Sequence, residues 1–216
     1  MKIKKLVVGI LLALYMASLS VVIAGNFEIN MYKSILSEMH LERYVNLERD
    51  TVEKEITHLI EYTLNAEIKE LRLNYFELSS DSAYHFEEVK HIVNSINQIV
   101  IYATPFVLAI VVWIIARNRK GYLKYAMISS IVILLIIGVS FLFFEDWSFE
   151  FFHRLVFKNE YWIFDPRIDP IIYVLPQKFF INSLYLILSI YLGFNVIVFY
   201  IERKIIQRVK EKSVSL

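Results

Sequence analysis

Four apolar runs, about Ile3 to Ala24, Ile99 to Ala116, Leu123 to Phe144 and Phe179 to Ile201, constrain this chain of 216 residues more than any other feature. A helix needs about 20 apolar residues to cross roughly 30 Å of hydrocarbon, and each run approaches or exceeds that length. The expected fold class is an all-α membrane core of four transmembrane helices, carrying a small extracytoplasmic cap that is mainly helical with short strands. A hydrophobic content of 57% and a mean hydropathy of +0.50 are too high for an ordinary soluble domain.

Orientation follows from the basic residues at the ends of the runs. Lys2, Lys4 and Lys5 precede the first, Arg117, Arg119, Lys120 and Lys124 join the second to the third, and Arg203, Lys204, Arg208, Lys210 and Lys212 follow the fourth. Basic flanks stay cytoplasmic, so both termini are expected there. Val22-Ile23-Ala24 before Gly25 also reads as a signal-peptidase site, but the first run exceeds the usual ~7 to 15 residues of a signal core, so it is read as an anchor.

This divides the chain into residues 1–24 as the first span, 25–98 as the cap, and 99–216 as three further spans with an outer loop at 145–178 and a basic tail. The cap holds 7 Lys/Arg against 14 Asp/Glu and is too long for a connector. Asp50 with Glu53, followed by Val52, Ile56, Leu59, Ile60 and Thr63, predicts a capped helix over 51–64. Alternation at Phe27, Ile29 and Met31, and again at Leu71, Leu73 and Tyr75, predicts short strands.

Polar residues in the spans read as structural. Pro105 predicts a kink, Ser129, Ser130, Gly138 and Ser140 allow close helix approach, and Asn195 is expected to hydrogen-bond between helices. The chain has no cysteine, which removes thiolate nucleophiles and Cys-based zinc sites. HExxH, GxSxG, GxxxxGK[ST] and GxGxxG are absent, and nothing resembles a basic nucleic-acid face. Catalysis, if any, falls to His, acids, hydroxyls or amides.

Two stretches carry such groups. SSDSAYHFEEVKHIV, from Ser79, starts with helix-capping residues and runs into the second span. His85 is expected in the first turn, where the positive end of the helix dipole keeps imidazole neutral; a raised pKa would count against this. Glu88, at i+3, orients the ring or pulls its pKa the other way. A straight helix from Ile99 puts His85 roughly 20 Å above the hydrocarbon edge, so tilt, deeper insertion or a break near Asn94 to Gln98 is expected to lower it. His40 and His58 read as surface residues.

The second stretch is FEFFHRLVFKNEYWIFDPRIDP, starting at Phe149. Phe149, Phe152, His153, Val156 and Phe157 follow helical spacing, and this helix is expected flat at the membrane surface with Trp147, Tyr161 and Trp162 as anchors. Asp165-Pro166-Arg167 and Asp169-Pro170 give a turn-rich return. One reading is an aromatic membrane belt with a half-buried histidine. The other is an acid–base and oxyanion set of His153 with Asp165, Arg167 or Asp169.

YHFEEVK at 84–90 and FFHRLVFKNEYWIFDPRIDPIIYVLPQKFF at 151–180 resemble the two signature regions of the bacterial lipoprotein intramolecular transacylase family. The resemblance covers nearly the whole chain. The family's first signature reads His-x-x-Asp-Val, and here Glu88, a longer acid, stands at the position of its Asp. The resemblance implies catalytic histidines at His85 and His153 where cap meets membrane, no cofactor and no metal. It also implies a bacterial cytoplasmic-membrane enzyme whose substrate is a diacylated lipoprotein. The sn-2 acyl chain moves to the substrate's own N-terminal amino group, giving a lyso-form. Asp165, Arg167, Asp169 and Glu88 then support the histidines, while Phe149, Phe152, Tyr161 and Trp162 hold acyl chains alongside membrane lipid. A neutral His85 suits the general base that a free α-amino group of pKa ~8 requires. Two competing readings are a non-enzymatic sensor or assembly partner using the acidic cap, and an intermolecular acyltransferase or lipid hydrolase.

Overall fold

The computed structural model describes residues 2–143 and 145–214, and at 138, 140–143, 145–148 and 212–214 the backbone alone. Gly138 and Ser140 as packing residues and Trp147 as an anchor therefore lie outside the described side chains, and Phe144 outside the described residues. Eight α-helices form there: α1 (Lys2–Gly25), α2 (Glu28–Met39), α3 (Glu42–Val45), α4 (Arg49–Leu64), α5 (Ser80–Ala116), α6 (Tyr122–Phe143), α7 (Glu145–Phe157) and α8 (Gln177–Val214), with a 3₁₀ turn at Pro170–Val174. Three of them, α1, α5 and α8, are long and apolar enough to cross a membrane, and α6 contains a shorter apolar stretch, Tyr122–Ile137.

Two compact units divide the chain. The first comprises residues 1–21, 97–145 and 187–216. Its core is Leu12, Ile114, Leu123, Ala126 and Ile205. Gly9 lets α1 approach α6 closely, since a Cβ there would meet Tyr125 backbone at 2.7 Å. Two hydrogen bonds join these apolar helices: Tyr15 and Thr104 hydroxyls lie 2.8 Å apart, and Tyr191 donates to the Ala13 carbonyl at 3.2 Å. Asn195 departs from expectation. Its amide donates to the Tyr191 carbonyl of its own helix at 2.9 Å, and the bond to another helix comes from Tyr191. The i−4 carbonyl is within reach of a short amide, so no neighbouring helix is needed.

The second unit comprises residues 22–96 and 146–186, so the aromatic loop packs with the cap residues. Its core gathers Tyr32 and Leu36 of α2, Val52 and Ile56 of α4, and Ile171 and Val174 of the 3₁₀ turn, all essentially inaccessible. Tyr32 donates to the Val174 carbonyl at 2.9 Å, giving its buried hydroxyl a partner.

No strand forms among the described residues. The alternation at Phe27, Ile29 and Met31 is overridden by a helical stripe, Tyr32, Ile35 and Leu36, that buries on the core. Leu71 and Leu73 also pack on it, but their segment is tied down by a side chain. The buried Glu55 carboxylate accepts the backbone N–H groups of Asn74 at 2.8 Å and Tyr75 at 3.2 Å, bonds a ladder would otherwise supply. The expected cap at Asp50 is also corrected: α4 begins at Arg49 with Glu48 at the cap position and no side-chain capping bond, so Asp50 lies inside the first turn. The far end of α4 is capped by Lys90, whose ammonium donates to the Tyr62 and Asn65 carbonyls at 2.8 Å each and to that of Ile68.

Candidate active site

Ser79 starts α5 as an N-cap, its hydroxyl accepting the Ser82 N–H at 3.1 Å. His85 is the sixth residue of that helix, beyond the first turn, and α5 runs unbroken through 94–98, so of the three ways to lower His85 the break is absent. The apolar run of α5 starts at Ile99, leaving His85 outside it. The ring is only 7% exposed. Around it stand Phe157 at 4.6 Å, Phe164 at 5.9 Å and Phe86 at 6.1 Å between centroids. Its Nδ1 is buried without a hydrogen-bond partner. Burial, with a smaller contribution from positive charge on His153, lowers the His85 pKa to about 4. Desolvation thus favours the neutral state expected from the sequence, whereas the helix dipole acts mainly on the first turn, which His85 lies beyond.

His153 comes from α7, whose inward edge is Phe149, His153 and Phe157, at i, i+4 and i+8, while Phe151, Phe152, Leu155 and Val156 face outward. Its Nδ1 lies 2.7 Å from the Phe149 carbonyl oxygen, which can only accept, so Nδ1 carries the proton and Nε2 the lone pair. Phe149 and Trp162 lie against the ring, with centroids 4.2 and 4.9 Å away. Burial lowers its pKa, and the carbonyl bond opposes this in part. The two imidazoles are 6.0 Å apart, with Phe157 against both. That is well inside the roughly 10 Å within which one reacting centre can use both rings.

The acids expected to orient these rings are engaged elsewhere. Asp165 pairs with Arg167 at 2.7 Å in an exposed turn, and the guanidinium lowers the Asp165 pKa to about 2. Asp169, 3% exposed, accepts from the Ser79 N–H at 2.7 Å and from the hydroxyls of Ser79 and Ser82 at 2.8 and 2.6 Å. It clamps the start of α5, and the Phe149 carbonyl orients His153 in place of a carboxylate. Glu88 binds Asn159, as described below. Of the four expected lipid-holding residues, Phe149 and Trp162 line a cavity of about 350 Å³ with Ile172, Leu175 and Phe180, and with Glu150 and Gln177 as its polar residues. Phe152 and Tyr161 stand outside it, 50% and 40% exposed. Among the described residues no group of His, Asp and Glu is placed to hold a metal.

The phenylalanines of the 149–170 stretch are expected as walls of a dry lipid site, and Phe157 and Phe164 stand against His85, while Asn159 is an addition from the structure. Phe157 has a readable signal, lying one turn after His153 on the same edge. Asn159 has none, since it follows the helix in an aperiodic turn.

A family model, lipoprotein intramolecular transacylase Lit, matches residues 6–180. The chain belongs to the Lit family. It is thus an acyltransferase, and its apolar helices fit the membrane setting of its Lit relatives. The fold agrees with the in meso structure of the membrane integral Lit from Bacillus cereus, at TM-score 0.84 and 20% identity over 98% of this chain and 100% of that one. Structures of the same Bacillus cereus Lit with the H85A and H85R mutations match at TM-scores 0.78 and 0.76, with 20% and 25% identity. They cover 96% and 99% of this chain, and 96% and 95% of theirs. Among curated proteins compared by sequence, none matches.

Proposed function

We propose that this Lit-family chain moves the sn-2 acyl chain of a diacylglyceryl-modified lipoprotein to that lipoprotein's own N-terminal amino group, leaving the lyso-form. The observation that carries the reading is the pair of imidazoles 6.0 Å apart inside an aromatic nest. Amine and ester belong to one molecule, so the enzyme must position and handle protons, and needs no covalent nucleophile. The cavity edged by Phe149 and Trp162 abuts His153 and suits an acyl chain, while its aromatic walls keep out water that would hydrolyse the ester. In the proposed topology α6 makes a fourth crossing, both termini face the cytoplasm, and the cap at 25–98 and the loop at 145–178 are extracytoplasmic.

The His153 tautomer favours a division of labour in which His153, and not His85, is the base. With Nδ1–H held by the Phe149 carbonyl, His153 presents a basic Nε2, and the same carbonyl steadies the imidazolium that forms. His153 takes a proton from the attacking amine and returns it to the departing glyceryl oxygen as the C–N bond forms and the C–O bond breaks. His85, with a pKa of about 4, is a poor base at neutral pH. It remains a neutral N–H donor to the oxyanion, as preorganised donors do in acyl transfer.

Mass spectrometry of a reporter lipoprotein from cells with and without the protein tests the reaction. One acyl chain is expected on the cysteine nitrogen and one on the glyceryl group; an unshifted chain rejects the proposal, and free fatty acid identifies a hydrolase instead. The electrostatics are checked by histidine NMR titration in micelles. Both site rings are expected to titrate below 6.5, His85 near 4. Between these values the unfolded chain binds more protons than the folded one, so stability rises with pH across the window and declines as pH falls from 6.5 toward 4. An inflection at or above 6.5 for His85 contradicts the assignment.

A further inference from the structure

Among the described contacts, neither oxygen of Glu88 reaches a histidine, although the acid follows His85 by one turn. Both accept from Nδ2 of Asn159, at 2.9 and 3.1 Å. Asn159 is held in that orientation by its own Oδ1, which accepts the Tyr161 N–H at 3.1 Å. Its backbone carbonyl accepts the Trp162 indole N–H at 2.9 Å, and that indole lies against His153. Lys158, between α7 and this turn, has left-handed backbone, φ 57°. Tyr161 packs edge-on against Tyr84, centroids 5.4 Å apart. Tyr84 and Glu88 are one turn apart on α5, so the helix grips the turn at two points.

We infer that Glu88, acting through Asn159, is a positioning residue for His153: it fixes the turn that presses Trp162 against that ring. The inference rests on the two-histidine reading of the site. A non-glycine residue in left-handed backbone persists where surrounding contacts hold it. Releasing Asn159 frees the turn to swing about Lys158, and the indole moves off the imidazole. Nε2 of His153 then loses its placement on the amine, and a misplacement of 1 Å is enough to cost about 10²-fold. Glu88 acts on the turn in this arrangement, with both its oxygens facing the Asn159 amide.

The test uses the full chain in detergent with a synthetic diacylated lipopeptide. Glu88→Ala and Asn159→Ala are each expected to lower kcat roughly 10- to 100-fold with KM within about threefold of wild type, and the double variant to be no worse than either single. Glu88→Gln keeps one accepting oxygen and stays within about tenfold of wild type. Asn159→Asp sets two carboxylates face to face and falls to the alanine level. Joining Glu88→Gln to Asn159→Asp exchanges amide and carboxylate, restores the bond, and returns activity to within about threefold. Histidine NMR, read without substrate, is expected to show the His153 inflection rising toward 6.5 in the alanine variants and returning in the exchange. Failure of the exchange to recover, with Glu88→Gln as slow as Glu88→Ala, shows that Glu88 works by its charge and overturns the inference. An unmoved His153 inflection in the alanine variants overturns it too. If the wild type transfers no acyl chain, the proposed reaction fails, while the NMR result still decides the clasp.

Discussion

Replacing His153 with alanine is expected to slow acyl transfer about 10²- to 10⁴-fold, the usual share of a positioned acid–base group. Replacing His85 with alanine removes one oxyanion donor and is expected to cost about 10²- to 10³-fold. Glutamine at each position separates the roles. His85→Gln retains a neutral N–H donor and is expected to recover at least about tenfold over His85→Ala, whereas His153→Gln offers no base and stays at the alanine level. Because the two rings serve one centre, the double alanine variant is expected to be little slower than the worse single. Initial rates on a diacylated lipopeptide, with thermal unfolding followed in parallel to confirm a folded chain, make the comparison. The opposite glutamine pattern, with His153→Gln active and His85→Gln dead, assigns the base to His85.

The helices and the paired histidines were legible because their signals are local. An apolar run long enough to cross hydrocarbon announces a span wherever it is packed, and Phe149, His153 and Phe157 share a helix edge by spacing alone. His85 carries a local motif, but the burial that lowers its pKa comes from Phe157 and Phe164, more than 70 positions away. The polar ties were hidden for the same reason. Glu88 meets Asn159 at a separation of 71 residues and Asp169 meets Ser79 at 90, and neither contact leaves a periodicity in the chain. The false strands arose because a period-two pattern over five residues, at Phe27 to Met31, is too short to exclude a helix. Asn195 departs from expectation because a mid-span amide has two outlets, another helix or its own i−4 carbonyl, and it takes the local one.

Asp169→Ala is expected to cause the larger stability loss. The carboxylate, 3% exposed, is the shared acceptor for three donors at 2.6 to 2.8 Å, and one of them, the Ser79 N–H, belongs to the residue that caps α5. Net hydrogen bonds to a charged group contribute about 1.5 to 3 kcal/mol each, and orphaned buried donors cost a further penalty when the acceptor is removed. The three bonds share one group and do not add, so a loss of about 3 kcal/mol is the expected scale. Asp169→Asn is expected to lose about half as much, since its oxygen still accepts the N–H and its amide donates to a serine hydroxyl that rotates to meet it. Ser82→Ala, which removes one donor and leaves the others paired, is expected to be milder still. Thermal melts of the three variants in one detergent give the order, and an Asp169→Ala protein that melts with the wild type shows that the clamp contributes nothing. The activity readout follows from the same geometry. Asp169 ties the start of α5, six residues before His85, to the 165–170 return, so Asp169→Ala is expected to lose transfer on warming before it unfolds globally, while Asp165→Ala, in its exposed pair with Arg167, changes neither property.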